Sequence, residues 1–157
     1  MKVGIGYDVH PFATDETRPL VLGGVQIEGH VGLAGHSDAD VVAHSIADAM
    51  LGAAGLGDLG AHFSEEDERW QGADSLGLLA HVAELVKKEG LALVNADCTI
   101  VSERPRIAGV RQEMMEALSA AAAGPVHVKA TRPEGLGALG RHEGIACMSV
   151  VLLGDAR

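Results

Sequence analysis

The 157-residue chain has 47% hydrophobic and 22% charged side chains, a composition typical of a globular protein and not of a disordered one. Its net charge of −10 comes entirely from residues 1–78, which carry 13 acids and 3 Lys/Arg, because residues 79–157 carry 9 of each. This charge argues against nonspecific binding to DNA, RNA or an anionic membrane, since such binding needs Lys/Arg to neutralise phosphates. A small anionic ligand would need a metal ion or a local basic cluster.

The N-terminal half is predicted to begin with a strand over 3–9, followed by a hairpin that turns at Gly23-Gly24. Helical spacing of apolar residues over 40–54 predicts the first helix, with its cap in His36-Ser37-Asp38. An acidic loop, 65–68, precedes a second helix that begins at Asp74-Ser75 and ends at Gly90.

The C-terminal half is predicted to alternate strands with a helix. A strand over 91–101 is followed by a helix from Pro105 to about Ala122, and strands over 126–130 and 145–153 enclose the turn at 135–140. This order predicts an α/β fold in a single domain, 1–157, with one sheet covered by helices on one side.

Cysteine usage and hydropathy favour a cytosolic protein. Cys98 and Cys147 lie in apolar strand-like runs and are expected to be buried thiols. No run approaches the 18 or more apolar residues of a membrane helix, and Asp8 and His10 interrupt the apolar start that a signal peptide would need.

The first residues that can carry chemistry are Asp8, His10 and His44. Alternate residues of a strand share a face, so Asp8 and His10 should project together, with Val9 facing the core. His44 lies in the first helix, where a stripe with Asp40 and Asp48 is expected to oppose the apolar face. One carboxylate and two imidazoles suit a Zn²⁺ site with one open position, with Asp40 or Asp48 orienting His44.

The spacing alone leaves a plainer interpretation open. Asp8 and His10 would also form an ordinary polar pair, Asp38 and Asp40 would cap a helix, and His44 with Asp48 would lie on a solvated helix face.

A basic cluster in the C-terminal half is the second candidate for chemistry, because arginine and lysine can hold phosphates. The glycine-rich turn beside it matches neither a Walker A motif nor a dinucleotide fingerprint. The cluster consists of Arg104, Arg106, Arg111, Lys129, Arg132 and Arg141.

The motifs follow one another in a familiar order over residues 3 to about 153. They are Gly4-x-Gly6-x-Asp8-x-His10, Leu-Gly-Gly-Val (22–25), His-Ser-Asp-Ala-Asp-Val (36–41), Leu-Gly-Asp-Leu-Gly (56–60), Gly-Ala-Asp-Ser (72–75), Lys-Ala-Thr (129–131) and Gly-Arg-His-Glu-Gly-Ile-Ala-Cys (140–147). The chain closely resembles the 2-C-methyl-D-erythritol 2,4-cyclodiphosphate synthase family of the non-mevalonate isoprenoid pathway.

The resemblance implies an α/β homotrimer with active sites between neighbouring subunits. The expected substrate is 4-diphosphocytidyl-2-C-methyl-D-erythritol 2-phosphate, whose 2-phosphate attacks the β-phosphorus and expels CMP. By the same resemblance, Asp8, His10 and His44 would hold Zn²⁺ or another divalent cation, and Glu134 would hold Mg²⁺.

The resemblance also assigns further site residues. His36, Thr131 and Arg132 are expected to act in catalysis. Asp58, Gly60, Phe63 and Asp67 would lie along the methylerythritol, and Ser102, Arg106, Ile107 and Ala108 would border the cytidine. His36 would steady the phosphate or the diol. The other substrate-binding residues would be Asp8, Val9, His10, Ser37, Leu59, Thr131, Glu134 and Arg141.

The sequence departs from the family pattern in its C-terminal loop. Arg132 replaces a usual threonine, Gly135 replaces a common lysine, and Ala138 replaces an aromatic residue that lines a channel on the trimer axis. The same residues are also compatible with two other functions: a zinc phosphohydrolase, with Asp48 or Asp58 as general base, and a trimeric metal- or nucleotide-binding protein without activity.

Overall fold

The computed structural model describes residues 1–64 and 72–156 and has the α/β fold that the sequence predicts. Its strands are β1 (Lys2–Pro11), β2 (Pro19–Leu22), β3 (Val25–Val31), β4 (Leu91–Val101), β5 (Val126–Thr131) and β6 (Gly144–Asp155). Its helices are α1 (Val41–Ala54), α2 (Leu59–His62), α3 (Ser75–Lys88), α4 (Arg111–Ala121) and α5 (Gly137–Gly140). No helix among the described residues is long and apolar enough to cross a bilayer.

The main sheet has four strands in the order β1-β6-β4-β5. β6 is antiparallel to both of its neighbours, β1 and β4, whereas β4 and β5 run parallel and are joined through α4. β2 and β3 form a separate antiparallel hairpin.

The helices cover one face of the sheet, as predicted, and the core lies between them. Ile46 and Met50 of α1, Leu79 of α3 and Ile100 of β4 are at most 1% exposed. The opposite face of β1 is open and apolar, since Val3 and Ile5 are 70% and 65% exposed. Burying a leucine-sized side chain is worth about 1.5–3 kcal/mol, so these helices are held to the sheet mainly by this apolar contact.

The prediction that Val9 faces the core is wrong. Val9 is 45% exposed and lies on the open face with Tyr7. The residues of this strand that face the helices are instead Gly4, Gly6, Asp8 and His10. At the two glycines, α1 comes very close to the backbone of β1. Hydrophobicity alone therefore gives the wrong face for this strand.

Gly6→Ala is expected to lower the free energy of unfolding by about 3 kcal/mol, because an added Cβ would lie 1.9 Å from the backbone oxygen of Ser45. The matched control is Gly52→Ala in α1, where a Cβ meets nothing within 4 Å and should stabilise the protein by about 0.5 kcal/mol. Denaturant unfolding checks both variants, and equal stability of Gly6→Ala and wild type would contradict the close packing of β1 on α1.

Three smaller expectations need correction. The third predicted helix begins at Arg111 and not at Pro105, because Ile107 and Val110 first close a separate turn. The glycine-rich turn contains the short helix α5, and α2 was not predicted. The acidic loop 65–68 lies outside the described residues.

Both cysteines are buried free thiols, as expected. Burial raises the pKa of Cys98 to about 12 and that of Cys147 to about 11, so both thiols are protonated at neutral pH. A neutral, buried thiol is a poor nucleophile.

Candidate metal and phosphate site

Three side chains from β1 and α1 form a cluster suited to a metal ion. Asp8 Oδ2 lies 3.2 Å from His10 Nε2 and 3.1 Å from His44 Nδ1. One ligand atom from each residue lies within 4.8 Å of the others. Asp8 and His10 meet because they are two apart on β1, and His44 reaches them because α1 packs directly on this strand.

The atoms behind the two imidazoles fix which nitrogen of each ring faces the cluster. His10 Nδ1 lies 2.7 Å from the Ala34 carbonyl oxygen and therefore donates its proton there, which leaves Nε2 as the ligand atom. His44 Nε2 lies 2.8 Å from Ser75 Oγ and 3.2 Å from Ser37 Oγ, which leaves Nδ1 facing Asp8. Both rings are thus oriented for metal binding by their outer partners.

The prediction that Asp40 or Asp48 orients His44 is wrong. Asp40 is fully buried and accepts hydrogen bonds from the backbone N–H groups of Gly23, Gly24, Val42 and Ala43, at 2.7–3.2 Å. Burial raises the pKa of Asp40, and the N–H donors oppose that shift. The carboxylate behind His44 is instead Asp38, which accepts the hydroxyl of Ser75.

Asp48 also has a structural partner. Its Oδ1 accepts the backbone N–H of Leu59 at 3.1 Å, which ties α1 to the start of α2. Asp48 therefore helps to place the α2 segment that borders the site.

The charge of the cluster favours a cation. Burial pushes the pKa of Asp8 upward, but hydrogen bonds and charge interactions with His10 and His44 outweigh it and hold the pKa well below its usual value. Asp8 is therefore a carboxylate at neutral pH. One oxygen and two nitrogen donors on two rigid elements fit Zn²⁺ or a similar divalent ion with an open coordination position.

A cavity of about 180 Å³ opens onto this cluster. It brings together many of the residues predicted from the sequence and adds Leu78, which was not predicted. Its lining consists of Asp8, His10, His36, Ser37, His44, Leu59, Gly60, Phe63 and Leu78.

A second region lies where β4 and β5 end. One cavity of about 290 Å³ is lined by the predicted residues Ser102, Arg106, Ile107, Ala108, Thr131 and Arg132, among others. An adjoining cavity of about 410 Å³ is lined by Arg104, Arg132, Glu134 and Arg141, together with Glu103 and residues of the loop. Most of the predicted basic cluster thus faces these two cavities.

Three predicted residues, Val9, Lys129 and Asp58, are not in the lining of these cavities. Val9 is on the open sheet face. Lys129 pairs with Asp97 across β4 and β5 on that same face. Asp58 caps α2 by accepting the Ala61 N–H at 2.9 Å, and Asp67 lies outside the described residues.

Two residues near the cavities were missed in the sequence. Ser75 was assigned only to a helix cap, and its contact with His44 depends on a fold that joins 72–75 to 36–38 through the pairs Gly72–His36 and Asp38–Ala73. Glu103 belongs to no recognisable motif. Its contacts with Arg132 and Gly135 become visible only in the structure, because β4 and β5 end side by side.

The two regions are separate within one chain. Val9, Ala146, Val101 and Thr131 form one row across the four strands, so Thr131 lies about 14 Å from the β1 edge. Paired residues share a face, so Thr131 points to the open side, whereas Asp8 and His10 point toward the helices. The sheet therefore lies between the two regions of a single chain.

An α/β sheet with a three-residue cation site and a separate arginine-lined region defines a protein suited to a small phosphorylated ligand. The model of the YgbB family matches residues 1–154, and the chain belongs to this family. A 2-C-methyl-D-erythritol 2,4-cyclodiphosphate synthase from Geobacillus thermodenitrificans is 52% identical over 155 residues, which cover 97% of this chain and 96% of the relative. Such synthases are phosphorus–oxygen lyases of isoprenoid biosynthesis.

Solved structures agree with this assignment. The bifunctional IspDF of Campylobacter jejuni matches with a TM-score of 0.92 at 41% identity, covering 98% of this chain and 42% of that one. The CDP complex of Plasmodium falciparum IspF matches with a TM-score of 0.85 at 31% identity, covering 99% and 97% of the two chains.

Proposed function

We propose that the protein converts 4-diphosphocytidyl-2-C-methyl-D-erythritol 2-phosphate into 2-C-methyl-D-erythritol 2,4-cyclodiphosphate and CMP. The observation that carries this proposal is the Asp8, His10 and His44 cluster, set in a chain 52% identical to a synthase of that name. A 2-phosphate oxygen forms a bond to the β-phosphorus, and the bond from that phosphorus to the CMP oxygen breaks, its electron pair leaving with CMP.

This reaction needs no nucleophile from the protein, because the attacking oxygen belongs to the substrate. The two cysteines, which are buried and protonated, are unsuited to that role in any case. The task of the protein is to align the phosphate oxygen with the β-phosphorus and to offset crowded negative charge.

We assign a divalent cation, Zn²⁺ by preference, to Asp8, His10 and His44, and Mg²⁺ to Glu134. When bound, these cations would supply positive charge to neutralise phosphate oxygens in a protein of net charge −10. The chain's own residues do the positioning: His36 and Ser37 border the metal cavity, and the Thr131 hydroxyl and Arg132 guanidinium offer donors to the diphosphate.

The cytidine end of the substrate is assigned to the segment after β4. Ser102 and Ile107 are buried, and Arg106 and Ala108 are exposed beside them. A CDP complex is known for the Plasmodium falciparum relative. On the other side, Leu59, Gly60 and Phe63 would contact the methylerythritol, whereas the predicted roles of Val9 and Asp58 have no support from their positions.

The complete site is proposed to form between subunits of a homotrimer. Two observations support this arrangement: the metal cluster and Thr131 lie at opposite edges and on opposite faces of one sheet, and the open face of β1 and β6 exposes Val3, Ile5 and Val150. A neighbouring copy packed along the β1 edge would cover part of this apolar face and could bring its own Thr131 and Ser102 to the metal cavity. The cytosolic location stays a prediction.

The experiment that tests the reaction is ³¹P NMR of the purified protein with the diphosphocytidyl substrate, Zn²⁺ and Mg²⁺, with and without a chelator. We expect CMP and two coupled resonances of a cyclic diphosphate, both abolished by the chelator. Linear phosphate products would indicate a zinc phosphohydrolase instead. Unchanged substrate would indicate a binding protein, and either result would overturn the proposal.

A further inference from the structure

Glu103 lies at the centre of a set of contacts that no motif accounts for. Its Oε2 accepts hydrogen bonds from Arg132 Nε at 3.1 Å and Nη2 at 2.9 Å, and its Oε1 accepts the backbone N–H of Gly135 at 2.7 Å. One carboxylate thus holds both a side chain and a main-chain group of the loop that follows β5. We propose that Glu103 is a positioning residue that fixes this loop for the transfer reaction, an inference that rests on the proposed function.

The strands bring these residues together. β4 and β5 are parallel with Val101 opposite Thr131, and the Ser102 N–H donates to the Thr131 carbonyl oxygen at 3.2 Å, so the pairing continues to the strand ends. Glu103 and Arg132 are therefore the next residues to emerge, side by side. The sheet therefore brings the two residues close together.

The loop needs such an anchor because of its backbone. Glu134 has φ of +55° although it is not glycine, and Gly135 and Gly137 follow with φ of +74° and +62°. A left-handed conformation is unfavourable for a residue with a side chain and persists only where surrounding contacts hold it. The Gly135 N–H bond to Glu103 is the contact immediately after Glu134, and the Leu136 N–H bond to the Pro133 carbonyl oxygen closes the turn.

The same carboxylate sets the direction of the arginine. A guanidinium has five N–H donors, and the two contacts with Glu103 use two of them. The Glu103 side chain is 13% exposed, whereas that of Arg132 is 61% exposed. The less exposed carboxylate thus fixes the position of Arg132 within the cavity that both residues line together with Arg104 and Arg141.

This arrangement explains how the chain accommodates arginine at position 132. A short hydroxyl side chain needs little support, but a long guanidinium must be held in one direction to act on a phosphate. Glu103 supplies that support and, through Gly135, fixes Glu134 in the same step.

The test compares Glu103→Ala with wild type in two measurements on the full-length protein. Hydrogen exchange of the Gly135 amide, followed by NMR without nucleotide, should speed up about tenfold or more in the variant, because its acceptor is lost. In the metal-loaded enzyme, kcat should fall by about tenfold or more while KM stays near the wild-type value, because positioning and not ground-state binding is lost.

Glu103→Gln separates the two contacts. Its amide oxygen still accepts the Gly135 N–H, so exchange should stay slow, but its neutral NH₂ group cannot hold Arg132, so kcat should fall to an intermediate value. The matched control is Glu116→Ala, which removes an exposed carboxylate from α4 and should change neither measurement. Thermal unfolding of each variant separates these effects from loss of the fold.

Two outcomes overturn the inference: Gly135 exchange that is equal in wild type and Glu103→Ala, or an unchanged kcat in Glu103→Ala. A wild-type protein that forms no cyclic product would overturn the proposed function instead, and the exchange measurement would still decide whether Glu103 holds the loop.

Discussion

His44→Ala is expected to remove the metal and, with it, at least about 1,000-fold of the turnover rate, while the protein stays folded. His44 supplies one of three ligands through Nδ1, and the remaining pair, Asp8 and His10, come from a single strand. Loss of an outer partner of a metal site costs about 10–100-fold in affinity, so loss of a ligand should cost more. Competition with a chromophoric chelator measures the affinity, and CMP release measures the rate.

The control for this variant is Glu84→Gln, which alters an exposed residue of α3 outside the metal cavity and should retain metal and activity. Thermal unfolding in the presence of a chelator should give similar midpoints for His44→Ala and wild type, because neither protein then holds a metal. Full metal occupancy and full activity in His44→Ala would show that the metal site has been assigned to the wrong residues.

Mixing two inactive variants is expected to restore activity. His44→Ala damages the metal half of a site, and Thr131→Ala damages the phosphate half that lies on the opposite face of the sheet. In trimers reassembled from equal amounts, about a quarter of the interfaces pair an intact metal half with an intact Thr131 half, so about a quarter of the wild-type rate should return.

The control for the mixing experiment is to combine the variants without dissociating them, which should leave both inactive. A rate that stays at the level of the separate variants after reassembly would mean that both halves of a site belong to one chain. Light scattering of the reassembled protein confirms that trimers have formed.

Most of the fold was predictable because its elements carry strong local signals. α3 was predicted from its Asp74-Ser75 start and its end at Gly90, and β4 from an apolar run over 91–101. The face of β1 was not predictable, because inward residues of this strand are glycines that make room for α1 and outward ones are apolar. An apolar outer face on a strand indicates contact with another chain, and the residue pattern of a single chain does not show where that contact lies.

The site residues that belong to sequence motifs were predictable, whereas those brought to the site by contacts between distant segments were not. Residue type and spacing made Asp8, His10 and His44 candidates for a metal site, and the family resemblance then assigned them as its ligands. Ser75 and Glu103 were not, because their contacts with His44 and Arg132 join segments more than 25 residues apart. Asp40 was assigned to a polar stripe because its burial depends on the hairpin turn that covers it.

The carboxylate of Asp40 joins two elements that are otherwise separate in the sequence. It accepts N–H groups from the first turn of α1 and from Gly23 and Gly24 in the turn between β2 and β3, at a position with no solvent exposure. If the hairpin moved away, Asp40 would keep the N–H donors of Val42 and Ala43 but would lose those of Gly23 and Gly24, together with the cover that keeps it from solvent. Opening of the hairpin should therefore also loosen the start of α1, and His44, one turn into that helix, depends on a hairpin that contributes no residue to the lining of the metal cavity.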